Sequence, residues 1–313
     1  MTAVAEPVPA ASPPQEHRRR RRGALRTAVV PYGLIGPFYL LFVFFTIGPL
    51  LYAAYLSLYN RTLTGSNLFV GFSNYSTLFH DSDFWSGMVS TVLLGVVEVP
   101  LMLALAIFLA VVLDMKLVRF GRVFRLIYFV PFAIPGVVAT VMWGYLLVPD
   151  LSPFDVVLSH LGLGTPNLLG SGFLWPALGN MLIWELVGYN MLIIYTALQT
   201  VPRELTEAAV LDGANAWAIA LRVRLPAVRG AITLTALFSI IGTLQLFTEP
   251  LLLNNLSGAI STHLTPNLYL YNQATVGQQT NLAAAGALIL ALIIAMAAGV
   301  VLTAMRRAGA GRS

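Results

Sequence analysis

Long apolar runs separated by short polar stretches organise most of this chain. Uncharged runs cover residues 34–60, 126–149, 231–248 and 250–305. About 20 apolar residues span a bilayer as a helix, because in lipid every backbone group must be hydrogen-bonded within its own segment. The pattern therefore predicts six transmembrane helices, near residues 33–58, 87–113, 124–148, 173–200, 230–253 and 281–305.

The composition supports an all-α, polytopic membrane protein. Of the 313 residues, 58% are hydrophobic and 10% are charged, whereas soluble domains carry about a quarter charged residues. The first apolar run is longer than the core of a signal peptide, so we expect it to be retained as a helix. The chain contains no cysteine, which excludes disulfides, thiolate metal sites and cysteine nucleophiles.

The basic residues predict the orientation. If the N-terminus lies in the cytoplasm, every lysine and arginine except Arg61 falls on the inner side, as the positive-inside rule expects. Both termini are then cytoplasmic. The net charge of +5 and the cluster Arg18–Arg22 beside the first span indicate contact with anionic membrane lipid, not nucleic acid. We expect a disordered tail at 1–26, a membrane domain at 27–307 and a short tail at 308–313.

The longest inner loop, residues 201–229, carries polar residues between two apolar spans. It reads EAAVLDGANAWAIALRVRLP from Glu207 to Pro226. We expect one helix with Pro202 in its first turn and a left-handed Gly213 at its end. A second short helix should run from about 215 to 223, with Pro226 ending it. A plain amphipathic helix at the membrane surface is the simpler alternative.

The order of residues in this loop resembles the EAA loop of bacterial ABC importer permeases. There, EAA, three residues, Gly, nine residues and I-x-L-P form the docking site for the ATPase; Val223 replaces the isoleucine here. The resemblance implies the type I ABC importer permease fold. It also implies that coupling to the ATPase rests on Glu207, Ala208, Ala209, Asp212, Gly213, Leu225 and Pro226.

Other segments resemble the carbohydrate permeases of this family, and are similar to the larger permease subunit of maltose and glycerol-phosphate importers. These segments are FVGFSNY at 69–75, RFGRVFRLIYFVPFAIPGVVATVMWGYLL at 119–147 and GYNMLIIYTALQTVPRELTEAA at 188–209. Residues 253–259, LNNLSGA, depart from the family's L-T-x-G-G-P. This departure predicts a different contact between that outer loop and a solute-binding protein.

The resemblance also implies partners in a bacterial inner membrane. They are a second permease subunit, an ABC ATPase dimer and an extracytoplasmic solute-binding protein. ATP and Mg would bind the ATPase, and no cofactor is expected on this chain. No Gly-rich phosphate loop or catalytic motif occurs in the sequence, and its histidines lack metal-ligand spacing.

Polar residues inside the fourth and fifth predicted spans are candidates for binding the solute. Ser239 and Thr243 share one helix face, and Glu185 and Tyr189 are one turn apart with Asn190 beside them. Carboxylates, amides and aromatic rings suit a sugar, and the resemblance places the family's sugar contacts near Tyr189, Ser239 and Thr243. Packing between helices is the alternative role for the serine and the threonine.

The roles of two further carboxylates and three alternative functions stay open. Glu98 is expected to be a buried structural group, and Glu249 could be solvated near the outer end of its span. The same machinery could import another polar solute, such as glycerol phosphate. An ion-coupled secondary transporter would use Glu98, Glu185 and Glu249 as relays, but no inverted repeat is visible. An intramembrane enzyme would need paired acids, and no such pairing is predicted.

Overall fold

The computed structural model describes residues 32–61, 67–149, 151–162, 164 and 166–310. The tail predicted at 1–26 and the end of the tail predicted at 308–313 lie outside the described residues. The described residues form two separate units, divided between Tyr55 and Leu56. In the first unit, the described part belongs to helix α1 (Tyr32–Ser57), which contains a π-helical segment at Val43–Ile47.

The second unit consists mainly of helices in the part that the structure describes. Strand β1 (Tyr59–Arg61) pairs antiparallel with β2 (Asn67–Phe69). The helices that follow are α2 (Ser73–Phe79), α3 (Ser82–Asp114), α4 (Gly121–Ala133), α5 (Gly136–Leu147), α6 (Pro153–His160), α7 (Leu174–Leu198), α8 (Arg203–Leu211), α9 (Ala216–Ile219), α10 (Leu225–Ala227), α11 (Arg229–Leu244), α12 (Thr248–Leu253), α13 (Pro266–Thr275) and α14 (Thr280–Ala310).

Up to six segments of the described chain can cross a membrane, in agreement with the sequence. Five are single helical stretches, namely α1, α3, α7, α11 with α12, and α14. The sixth is the pair α4 and α5, which is bent by 94°. The expected continuous helix at 124–148 is therefore broken. Ile134 has extended φ and ψ of −78° and 129°, because the ring of Pro135 disfavours a helical residue before it.

The helix α3 begins earlier than the apolar pattern predicts. Its side-chain cap is Asp81, whose carboxylate accepts hydrogen bonds from the amides of Asp83 and Phe84 at 2.9 and 3.0 Å. A capping acid at this position satisfies amides that have no partner within the helix. The polar residues at the start of α3 are thereby incorporated into the helix.

Helices α3 and α7 of the second unit share an apolar interface. Met102, Ala106 and Ala110 of α3 are buried against Met191 and Ile194 of α7. A separate cluster packs α13 and α14 against the start of α3. These interfaces place the ends of α3 and α7 beside each other, where the loop at 201–229 begins.

Candidate functional site

The first half of the loop at 201–229 (the helical loop) forms the predicted helix, but Pro202 lies just before the first turn and not within it. Helix α8 begins directly after Pro202, which precedes the first turn and has φ and ψ of −55° and 137°. Gly213 is left-handed with a φ of +79°. The amides of Gly213 and Ala214 donate to the carbonyls of Val210 and Ala209 at 3.0 Å each. The prediction that Gly213 closes this helix is confirmed.

The second half of the helical loop differs from the prediction at Pro226. The Asn215 side chain caps α9 by accepting from the Ala218 amide at 2.8 Å. A π-helical turn at Ala220–Arg224 follows, and helix α10 then continues through Pro226. The prediction that Pro226 ends the helix is wrong. The helical run ends one residue after Pro226, at Ala227.

The residues predicted to couple to an ATPase lie together on this loop and are mostly exposed. The exposed members are Glu207, Ala208, Asp212, Gly213 and Pro226, and the partly buried members are Ala209 and Leu225. Large apolar side chains on the same loop are also exposed, namely Leu205, Val210, Leu211, Trp217 and Leu221. Leu211 is the most exposed of these, at 88%. The loop therefore presents an apolar surface, with the acids Glu207 and Asp212 beside it, on which a partner could dock.

Arg224 ties the helical loop to the ends of two spans. Its Nη1 lies 2.6 Å from Oδ2 of Asp114, the last residue of α3. Its Nη2 donates to the carbonyl of Leu198, the last residue of α7, at 2.8 Å. The Gln199 side chain donates to the other oxygen of Asp114 at 2.7 Å. Sequence analysis missed this arrangement, although Asp114 is the only acid in the otherwise basic segment 114–125.

Three of the predicted solute-binding residues lie in one buried polar cluster (Glu98, Asn190, Ser239 and Thr243). Asn190 Nδ2 donates to Ser239 Oγ at 3.2 Å and to the sulfur of Met102 at 3.1 Å. Thr243 Oγ1 lies 3.1 Å from Oε2 of Glu98. All four members are at most 4% exposed. The cluster joins α3, α7 and α11.

The other two predicted solute-binding residues lie on a different side of α7. The ring of Tyr189 stacks on Phe132 with centroids 4.4 Å apart. Glu185 is partly buried and lies close to Gly136 at the start of α5. The predicted solute-binding residues therefore fall into two groups. Asn190, Ser239 and Thr243 are buried, whereas Glu185 and Tyr189 are more accessible and face the bent pair α4 and α5.

Glu98 is the member of the polar cluster that reaches a cavity. A cavity of about 600 Å³ lies between α3 and α7, with Glu98, Trp175, Gly179 and Ile183 in its largely apolar lining. Among the described residues, Oε1 of Glu98 has no hydrogen-bond partner. The five predicted solute-binding residues are not part of this lining. Glu98 is buried, as the sequence suggests.

Comparison with known proteins places most of the second unit in one family. Residues 102–308 match the family described as binding-protein-dependent transport system inner membrane component. A probable ABC transporter permease protein of Pyrococcus horikoshii is 35% identical over 192 residues, which cover 59% of this chain and 64% of that protein. The lactose transport system permease protein of Rhizobium radiobacter is 31% identical over 250 residues, which cover 76% of this chain and 80% of that protein.

A solved structure shares the fold. It is the crystal structure of a bacterial alginate ABC transporter in complex with an alginate pentasaccharide-bound periplasmic protein. The match has a TM-score of 0.77 at 19% identity and covers 91% of this chain and 96% of the matched chain. At this identity the likeness establishes the fold.

Proposed function

The chain belongs to the family of binding-protein-dependent transport system inner membrane components, and on this premise we propose that it is a permease subunit of an ATP-driven importer of a sugar or oligosaccharide. Membership makes the chain a multi-pass transport component of the inner membrane. The ABC importer permease fold predicted from the sequence is confirmed. The observation that carries the proposal is the exposed helical loop with the EAA residues on its surface.

The helical loop has the properties that mechanical coupling to an ATPase requires. Its helices have defined ends, because Gly213 closes α8 and the Asn215 side chain caps the start of α9. It permits a close fit, because Ala208 is small and exposed, and Glu207 offers a charge that could pair with a cation. Movement of an ATPase dimer against this surface would tilt the spans between inward-open and outward-open states.

A carbohydrate is the solute class that the relatives and the site chemistry favour. The relative from Rhizobium radiobacter is named for lactose transport, and the structural neighbour for alginate. Tyr189 offers an aromatic face beside Phe132, and Glu185 offers a carboxylate on the same side of α7. Sugar rings stack on such faces, and their hydroxyls donate to such carboxylates. In the buried group, Asn190, Ser239 and Thr243 would have to become accessible when the spans tilt.

The proposal includes partners outside this chain. A solute-binding protein would deliver the sugar to the outer mouth, a second permease would complete the pathway, and an ATPase dimer would bind ATP and Mg. The divergent outer segment at 253–259 is folded: Asn254 donates to the Ile260 carbonyl and Ser257 to the Leu169 carbonyl, both at 2.7 Å. An ordered segment supports a specific contact with the binding protein.

Reconstitution tests this function. The chain is inserted into proteoliposomes with the second permease, the ATPase and the binding protein of its own organism, and uptake of labelled oligosaccharides is followed. We expect accumulation that requires both internal ATP and the binding protein. Accumulation driven by an ion gradient without ATP would overturn the proposal. Uptake of glycerol phosphate but of no sugar would retain the importer and overturn the carbohydrate assignment.

A further inference from the structure

The ends of three elements meet at one largely buried ion pair, in which the aspartate is enclosed and the arginine is partly exposed. Asp114 ends α3, Leu198 ends α7, and Arg224 ends the π-helical turn of the helical loop. The last carbonyls of a helix have no intrahelical partner, so the bond from Arg224 to Leu198 satisfies one of them. An aspartate at a helix C-terminus opposes the helix dipole, so Asp114 requires the cation that Arg224 supplies.

The pair is held tightly enough to transmit a displacement. The side chain of Asp114 is 3% exposed and that of Arg224 is 21% exposed. Gln199 fixes the second carboxylate oxygen of Asp114. Loss of one partner from a buried ion pair leaves an uncompensated charge, which makes separation of the two costly. An arginine suits this position because its planar guanidinium can serve a carboxylate and a carbonyl at once.

The π-helical turn directs Arg224 into this position. In this turn the amide of Leu225 donates to the carbonyl of Ala220, five residues earlier, which widens the helix by one residue. Ala220 is buried, Arg224 is directed inward, and Arg222 in the same turn is exposed. Single π-helical turns of this kind are frequent at functional sites.

We propose that Asp114 and Arg224 are a positioning pair that makes α3, α7 and the helical loop move together. Displacement of the loop by its partner then reaches the end of α3 through Asp114 and the end of α7 through Leu198. Glu98 on α3 and Asn190 on α7 lie farther along the same two helices. The inference rests on the proposed function, because it assigns a role within the coupling of ATP hydrolysis to transport.

The test measures solute imported per ATP hydrolysed in the complete reconstituted transporter. Arg224→Met removes the charge and keeps the alkyl stem, and Asp114→Asn keeps the shape of its side chain. Each variant is expected to purify with its ATPase and to lower the ratio about tenfold or more. Arg122→Met is the matched control, since Arg122 is exposed and has no ion pair in the described part of the chain. Its ratio is expected to equal that of the wild type.

Two further variants keep the inference open to refutation. Arg224→Lys retains a charge beside Asp114 but not the geometry for both bonds, so an intermediate ratio is expected. In the double variant, Asp114→Asn should add little to the effect of Arg224→Met. If the variants assembled less complex but imported as much solute per ATP as the wild type, the pair would serve only to stabilise the fold. This result would overturn the inference. If wild-type protein showed no ATP-dependent import, the proposed function itself would fail, which is a separate result.

Discussion

The side chain of Asn190 on α7 donates to the hydroxyl oxygen of Ser239 on α11, and this 3.2 Å bond links two spans in a region less than 5% exposed. Ser239 in turn donates to the Thr235 carbonyl at 2.8 Å within its own helix. The groups that would bind a sugar hydroxyl are therefore bonded to each other in this conformation. A link between helices and a solute contact are alternative uses of the same atoms.

The link predicts a measurable contribution to stability. Replacing Ser239 by alanine leaves Asn190 with the weak Met102 sulfur acceptor, and we expect a loss of about 0.5–1.5 kcal/mol of unfolding free energy. Unfolding in detergent measures it. Ser90→Ala is the control, because Ser90 is partly buried on α3 and has no hydrogen bond to another helix in the described structure. Equal effects of the two substitutions would contradict the prediction.

Close contact between α4 and α7 predicts that Gly188 tolerates no side chain. A Cβ at Gly188 would lie 1.7 Å from the Tyr128 carbonyl oxygen, which is a backbone atom that cannot turn away. We expect Gly188→Ala to destabilise the fold by about 2 kcal/mol or more. Gly242→Ala is the matched control, since its Cβ would meet nothing within 4 Å, and alanine favours the helix by up to about 1 kcal/mol. Thermal unfolding of both variants gives the comparison.

Local patterns were sufficient to predict where the spans lie and where helix α8 ends. Apolar runs long enough for a bilayer located the spans, and the position of Gly213 located the end of α8. Local patterns did not distinguish Pro131, which lies inside α4, from Pro135, which breaks the helix. Both follow apolar residues in a similar setting, so the difference depends on tertiary packing of this segment, which periodicity does not encode.

The features of the site that the sequence did not predict depend mostly on contacts between residues far apart in the chain. Asp114 and Arg224 lie far apart in the chain, and Arg224 occupies only the unspecified position of the I-x-L-P pattern. The solute-binding prediction named residues by chemistry and helix face, yet Asn190 and Tyr189 engage different neighbours although they are adjacent. On a helix, adjacent residues point about 100° apart, so the choice between two faces of α7 required the structure.

Stability at high pH should depend on Tyr269. Burial raises the pKa of its phenol, and the hydrogen bond that it donates to Asp81 raises the pKa further. Tyrosines in the unfolded chain ionise near pH 10, so above about this pH the folded state holds the extra proton and stability falls as the pH rises. Tyr269→Phe should flatten the fall in unfolding temperature between about pH 9 and 12. Tyr271→Phe, at an exposed residue of the same helix, should keep the slope of the wild type.

Tyr189 on the accessible side of α7 and Thr243 in the buried polar cluster predict an effect on solute preference. Tyr189→Ala removes the ring that stacks on Phe132, and Thr243→Ala removes the hydroxyl beside Glu98. We expect the double variant to change which sugars are imported, because the aromatic ring and the hydroxyl would contribute different amounts to the binding of different sugars. Competition for uptake among several oligosaccharides measures the profile. An unchanged profile in a folded, active variant would remove both residues from the solute site.

The exposed surface of the helical loop predicts a loss of transport without a loss of fold. Glu207 is exposed, and a Cβ at Gly213 would meet nothing within 4 Å, so Glu207→Lys and Gly213→Asp should leave insertion and folding largely intact. Each places a new charge where the ATPase is proposed to dock, and we expect ATP-dependent uptake to fall about tenfold or more. Gly162→Asp is the matched control, since Gly162 is also left-handed with a φ of +73° and open space, but lies outside this loop. The backbone strain of an aspartate at positive φ is then similar in Gly213→Asp and Gly162→Asp. The two variants differ in where the new charge lies. Uptake at the wild-type rate by inserted Glu207→Lys and Gly213→Asp proteins would exclude this surface as the site of coupling.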